Sequence, residues 1–307
     1  MALHTGAANS STPLALNYGT LPTVTQLTTF MQSIFPLRNG DTKFEYHVPR
    51  SWKFNAQQSL TSRVILSITP TEGFYSSLTA ASSSPYSAPL AFLHRPWQLD
   101  RRRVPRHATV LSCHKGFDEV LTVGNNAILA SLLGMDITRS GVIRGYKGDP
   151  ERTIGIVGPV PRISRRDMAD AVRAQFSSVE GCFGIDEDGD VEDGKSTEIT
   201  TLAIMNAFHP EEVDRVIGLQ KEIGLASSDE EHGKGVLYLT GAVREPGLLA
   251  ALEKGMAVVC VGHRTCEEWG ILYLGRLLRQ TWPLLGVDVI LEDEEAPSVR
   301  SRNIVEG

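Results

Sequence analysis

Over the last third of this chain short apolar runs alternate with amphipathic stretches, and that alternation limits its possible folds more than any other feature. Residues 200–205, 236–239, 257–261 and 287–291 read as strands. Between them, His209-Pro210-Glu211-Glu212 opens a helix. Proline is harmless in a first turn, and the helix dipole favours acids there. Residues 247–254 and 267–279 carry helical spacing. Strands alternating with helices predict an α/β protein with helices packed on a sheet. Upstream, 23–35 places Leu27, Phe30, Met31 and Ile34 on one helical stripe and stops at Pro36. Residues 64–69, 90–94 and 108–113 read as strands. Ser, Ala and Pro over 76–88 predict a loop or a loosely packed helix end. A helical stripe over 118–133 is interrupted by Gly124, so its helix is expected to start near Asn125 and stop at Gly134. Ser164 to Asp167 reads as a capping box for a helix over 167–176.

The chain has 307 residues, 41% apolar and 21% charged, with a formal net charge of −6. This is enough to bury a large core, and the balance does not call for nucleic acid or an anionic membrane. No apolar run is long enough to span a bilayer. Residues 1–20 read as a flexible arm and 293–307 as a mobile tail. The acidic run 186–193 lacks the register of an EF-hand and reads as a solvated loop. Cys113, Cys182, Cys260 and Cys266 are not spaced as a disulfide framework, so a reducing compartment, the cytoplasm, is expected. The Ser/Thr-rich start has no acid before Asp41, which keeps a mitochondrial presequence as the alternative.

Candidate chemistry collects at strand ends, where open α/β sheets bind ligands. His263 closes a strand and Glu267 falls in the first turn of the helix after it. His114 and Asp118 repeat that spacing after another strand, and His94 follows a third. Imidazole and carboxylate suit zinc, iron or manganese. Each pair also has a plain structural reading, as a turn histidine with a capping acid. Cys260-x-x-His263-x-x-Cys266 offers a thiolate alternative, although a cysteine inside an apolar strand acts as a small hydrophobe. Cys266 near a helix start is a further candidate, as a nucleophile. Arg101-Arg102-Arg103 with Arg106 and His107 reads as a solvated loop, with phosphate or nucleic-acid binding as the alternative. Gly155-Ile-Val-Gly158 makes no phosphate loop, since no Gly-Lys-Ser/Thr follows.

Taken in order, Leu93-His94-Arg95-Pro96, His114-Lys-Gly-Phe-Asp118 with Gly124-Asn-Asn126, Thr240-Gly241-Ala242 and Gly262-His263 to Glu267 resemble the Nif-three-like family, whose members are also known as GTP cyclohydrolase type 2 homologues. Residues 155–164 resemble the linker before the family's middle helix, and the similarity runs over about 22–292. The resemblance implies two interlinked α/β halves with helices packed on mixed sheets. On this reading the α/β region spans 21–292, with N- and C-terminal segments building the site together. It also implies a ring-shaped homo-hexamer and a centre of one or two divalent transition-metal ions. The ligands carried over are His94, Asp118, His263 and Glu267, with His114 beside them. Two departures stand out: Arg95 replaces a second histidine, and Ala242 a glutamate. A guanidinium cannot ligate a metal. Pointing inward it repels a second cation; pointing outward it leaves His94 to act alone. The expected function is metal binding, with hydrolysis of a nucleotide or other phosphorylated small molecule through a metal-activated water. The alternative is a non-catalytic, metal-handling or regulatory scaffold for another protein. Membrane attachment is not expected, and nucleic acid is disfavoured as a partner.

Overall fold

The computed structural model describes residues 19–51, 53–83, 87–185, 198–225 and 233–293. The first half of the chain forms α1 (Val24–Ile34), β1 (Glu45–His47), β2 (Arg63–Ser67), α2 (Glu72–Ala81), β3 (Leu90–Leu93), β4 (Thr109–Ser112), α3 (Lys115–Val120), α4 (Ala127–Leu132), β5 (Gly141–Tyr146) and β6 (Asp149–Ser164). Then come α5 (Arg165–Arg173), β7 (Gly181–Phe183), β8 (Glu198–Met205), α6 (Pro210–Glu222), β9 (Val236–Thr240), α7 (Glu245–Glu253), β10 (Ala257–Cys260), α8 (His263–Thr281) and β11 (Gly286–Ile290). The class is α/β, as the alternation predicts.

The strands form two mixed sheets, ordered β1-β4-β3-β2-β11 and β5-β6-β8-β9-β10-β7. In the first, β2, β3, β4 and β11 run parallel and β1 closes one edge antiparallel. In the second, β8, β9 and β10 run parallel, flanked by antiparallel β6 and β7. The two halves interlink because β11, near the end of the chain, pairs with β2 near its start.

Parallel strands covered on both faces explain the unbroken apolar runs that the sequence shows. On β2, Val64 and Leu66 join the cluster under α1 and α8, whereas Ile65 joins Phe74 and Leu78 of α2 on the other face. All five are fully buried, and each contributes roughly 1.5–3 kcal/mol of transfer free energy. The second sheet is covered by α4 and α5 on one face and by α6 and α7 on the other.

Helix α8 belongs to both cores. Cys266 and Trp269 pack on the second sheet, and Ile271, Leu274 and Leu278 on the first. Its close seat depends on Gly270. A Cβ there would collide with the Leu121 carbonyl oxygen and lie 2.7 Å from the Phe117 ring. Backbone cannot yield as a side-chain tip does. Gly270→Ala is therefore expected to destabilise the fold by about 1–3 kcal/mol, measured by denaturant unfolding, despite alanine's better helix propensity.

Several expectations need correction. The stretch 76–88 holds the end of helix α2, the second of its two readings, but the helix starts earlier, at Glu72, and sets Phe74, Tyr75 and Leu78 in the core. The late helix expected from near Asn125 to Gly134 is α4, and the earlier part of the stripe belongs to a separate short helix, α3. Thr122 returns its hydroxyl to the Asp118 carbonyl at 2.6 Å, and Asn126 caps α4 by accepting from Leu129 N at 2.9 Å. The segment read as a linker, 155–164, lies within the long strand β6. Its prolines argue against a central strand, but the β6–β8 register shifts between Pro159 and Ile163 and so accommodates them. Helix α5 starts at Arg165, two residues early, with Ser164 as its cap. The short strands β1, β5 and β7 carry too little pattern to be read from sequence. Most of the arm (1–18), the acidic run and most of the tail (294–307) lie outside the described residues. Among the described residues, no helix is long and apolar enough to cross a membrane.

Candidate metal centre

The parallel register brings the predicted strand ends together. Leu93 pairs with Ser112, so His94 and Cys113-His114 emerge side by side from β3 and β4. Helix α3 starts directly after His114 and carries Asp118 on its first turns. Helix α8 begins at His263 rather than at Glu267, because Gly262 turns the chain at φ +96° immediately after β10. His263 and Glu267 are therefore not a strand end and a helix start. They are i, i+4 neighbours on one helix face.

His94 is fully buried. Its Nδ1 lies 3.1 Å from the Cys113 carbonyl oxygen, which fixes that nitrogen as the donor. Nε2 then faces Glu267 Oε1 at 3.1 Å and Asp118 Oδ1 at 3.3 Å. His114 Nε2 approaches Asp118 Oδ2 at 3.8 Å. Donor atoms of His94, His114 and Asp118 all lie within 4.8 Å of one another. Two ligands about 2.1 Å from a tetrahedral ion stand about 3.4 Å apart, so the shorter of these separations are ion-sized. His114 Nδ1 is buried without a hydrogen-bond partner, an orphan that a ligand atom would satisfy. Buried imidazole and carboxylate donors together fit a divalent transition metal.

The electrostatics agree. Burial pulls the His94 imidazole down, yet the hydrogen bonds and charges of Asp118 and Glu267 outweigh it and push it up to about 9. Burial works to raise both carboxylates, and His94 above all brings them below their usual range. Burial keeps His114 below the ordinary histidine value despite Asp118. A cation at this point competes with the His94 proton for the same lone pair.

Arg95 points inward. Its Nη2 lies 2.5 Å from both Glu267 Oε1 and His263 Nε2. Glu267 is buried, whereas the His263 side chain is 65% exposed. Of the five candidate ligands, His94, His114 and Asp118 converge, Glu267 touches them through His94, and His263 stands outside with the guanidinium. The cysteines are free among the described residues. Burial holds the Cys266 thiol well above its ordinary value, which disfavours a nucleophile, and among the described residues no cysteine joins the group of converging donors. Within the basic run, Arg103 is committed to Glu72 at 2.5 and 2.7 Å.

Three supports were not foreseen. Asp41 accepts backbone N–H bonds from His114, Lys115 and Gly116, each at 3.0 Å, and so caps α3 from 73 to 75 residues away. His114, the helix's own cap residue, makes no side-chain capping bond. Glu119, fully buried beside Asp118, takes a fork from Arg38 and a hydroxyl bond from Thr153 at 2.8 Å. Trp97, 59% exposed, sets its ring edge-on to His114 with centroids 4.8 Å apart. Only Glu119 has a sequence signal, as an acid near a helix start, and that signal does not name its partner.

Burial works to raise the Asp41 carboxyl, and its backbone hydrogen bonds more than offset this, leaving it below the usual range. A depressed folded value means the stabilisation is present above the unfolded value of about 3.9 and fades as pH falls through the folded one. Asp41→Ala is expected to cost about 1–2 kcal/mol at neutral pH. Parallel urea titrations at descending pH should show the gap between wild type and variant closing below about pH 4.

A cleft of about 150 Å³ opens beside these residues. The segments after β8 (Asn206, His209) and β9 (Thr240, Gly241, Ala242) line it, with Arg244, Asp118, His263 and Glu267. It stands at the carboxyl ends of strands from both sheets, where α/β proteins place ligands.

No protein-family model and no curated protein matches the chain. Solved structures do. The protein ybgI, of unknown function, is 16% identical over 90% of this chain and 100% of its own, with a TM-score of 0.56. Reduced HcgD from Methanocaldococcus jannaschii is 15% identical over 88% and 98%, at 0.54. A Bacillus cereus protein related to NIF3 is 12% identical over 91% and 99%, at 0.53. At these identities the likeness is one of fold. The chain has the Nif-three-like fold over nearly its whole length.

Proposed function

We propose that this protein binds a divalent transition metal through His94, His114 and Asp118 and is a metal-dependent hydrolase of a nucleotide or other phosphorylated small molecule. The observation that carries the reading is the convergence of those three donors within 4.8 Å, with Asp118 also lining the cleft. A bound cation of this kind supplies Lewis acidity and lowers the pKa of a coordinated water. The chain's own residues do the rest. Cys113 O orients His94, Asp118 supplies negative charge, and Arg95 and Arg244 bring cationic forks suited to a phosphate. Zinc, iron and manganese all suit the donor set. A ring-shaped homo-hexamer and a cytoplasmic setting belong to the same proposal.

A second reading, a metal-handling or regulatory scaffold, is favoured by one observation: the guanidinium takes up donor atoms of both Glu267 and His263. Elemental analysis of the purified protein separates these from a third outcome. Stoichiometric transition metal, with hydrolysis of nucleotides in metal-replete but not chelated samples, supports the enzyme. Metal without hydrolysis supports the scaffold. A well-folded protein that takes up no metal sinks both.

A further inference from the structure

We infer that the Arg95 guanidinium is the second cation of this centre, built into the chain, and that it restricts the site to one metal ion. The inference rests on the metal-binding reading above and adds the count. The candidate donors fall into two groups that meet where Glu267 Oε1 approaches His94 Nε2 at 3.1 Å. One group is His94, His114 and Asp118. The other is His263 and Glu267, whose Nε2 and Oε1 stand 3.4 Å apart, an ion-sized separation. Arg95 Nη2 lies 2.5 Å from each of those two atoms, in the place where an ion bridging them would sit.

A guanidinium is always charged and has no lone pair to offer. It spends the donors it touches: the lone pair of His263 Nε2 and one face of the Glu267 carboxylate. The local charge points the same way. With both imidazoles neutral, as ligation requires, Asp118 and Glu267 bring two negative charges and Arg95 one positive, leaving −1. One divalent ion turns that into +1, and a second would turn it into +3 in a partly buried site. Arg95 is three-quarters buried and has the buried Glu267 as its counter-ion, so its place in the cluster is fixed by pairing.

The experiment counts ions. Wild type, Arg95→His and Arg95→Lys are stripped with chelator, reloaded with manganese, desalted and analysed for metal per chain, with electron paramagnetic resonance on the same samples. Wild type is expected to hold one equivalent and to give an isolated Mn(II) signal. Arg95→His removes the charge and adds a ligand nitrogen, so it should hold two equivalents and show a spin-coupled pair. Arg95→Lys keeps the charge and should stay at one. Circular dichroism confirms that each variant is folded. If wild type holds two ions, the inference is overturned and metal binding stands. If wild type and Arg95→His both hold one, the arginine does not set the count. Wild type without metal overturns the inference and the metal-binding reading together.

Discussion

Asp118→Ala should bind zinc or manganese at least about a hundredfold more weakly than wild type, while His263→Ala should stay within a few-fold of it. The two residues looked equivalent in sequence, each half of an i, i+4 His/acid pair. The structure separates them. Asp118 has one carboxylate oxygen 3.3 Å from His94 and the other 3.8 Å from His114, so it spans the cluster. His263 is two-thirds exposed, and its Nε2 is turned to Arg95. Removing Asp118 takes the negative charge from between two imidazoles and leaves only Glu267, which Arg95 already neutralises. The fold should survive. Asp118 is held at its backbone carbonyl by Thr122 and Asn206, and alanine is the better helix former. Competition against a chromophoric chelator gives both affinities. Thermal melts give an independent readout: metal at a hundredfold excess over its Kd raises stability by about 2.7 kcal/mol, a shift that wild type and His263→Ala should show and Asp118→Ala should lose. Equal losses in both variants would make His263 a ligand after all. No loss in Asp118→Ala would place the metal elsewhere.

The contrast shows how far the sequence reads. Residue type and position at a strand end were enough to nominate His94, His114, Asp118, His263 and Glu267; one parallel sheet brings the ends of β3 and β4 together, and α8, which packs on both sheets, brings Glu267 to them. Register then decides which donors meet, and register is not local. Arg95 is an example: from sequence alone it faced either way, and its direction is set by Glu267 172 residues later. The supports at Arg38 and Asp41 were invisible for the same reason. Arg38-Asn39-Gly40-Asp41 has ordinary turn chemistry, and nothing in it announces a helix start 73 residues on. The start of helix α2 and the strand β6 were lost to local composition. Serine and alanine left the first open between loop and helix end, and prolines beside a register shift hid the second.

Arg38→Ala is expected to cost about 3–5 kcal/mol, a large share of the stability of an ordinary domain. Arg38 Nε lies 2.8 and 3.0 Å from the two Glu119 oxygens, and Nη2 lies 2.7 Å from Oε2. Glu119 is fully buried, and the Arg38 side chain is 15% exposed. Without the guanidinium, the carboxylate keeps, among the described residues, the Thr153 hydroxyl alone. The loss is chiefly the penalty for an uncompensated buried charge, which gives the prediction a second arm. Arg38→Met combined with Glu119→Leu removes both charges and keeps apolar volume, so the pair should be markedly more stable than Arg38→Ala alone. The site should feel the single change too. Glu119 follows Asp118 and anchors α3 to Thr153 of β6, so loosening it should weaken metal binding without touching a donor atom. Urea unfolding of the two proteins and of wild type, with and without metal, measures all of this. A loss below about 1 kcal/mol in Arg38→Ala would mean that water reaches Glu119 and that the bridge behaves as a surface pair.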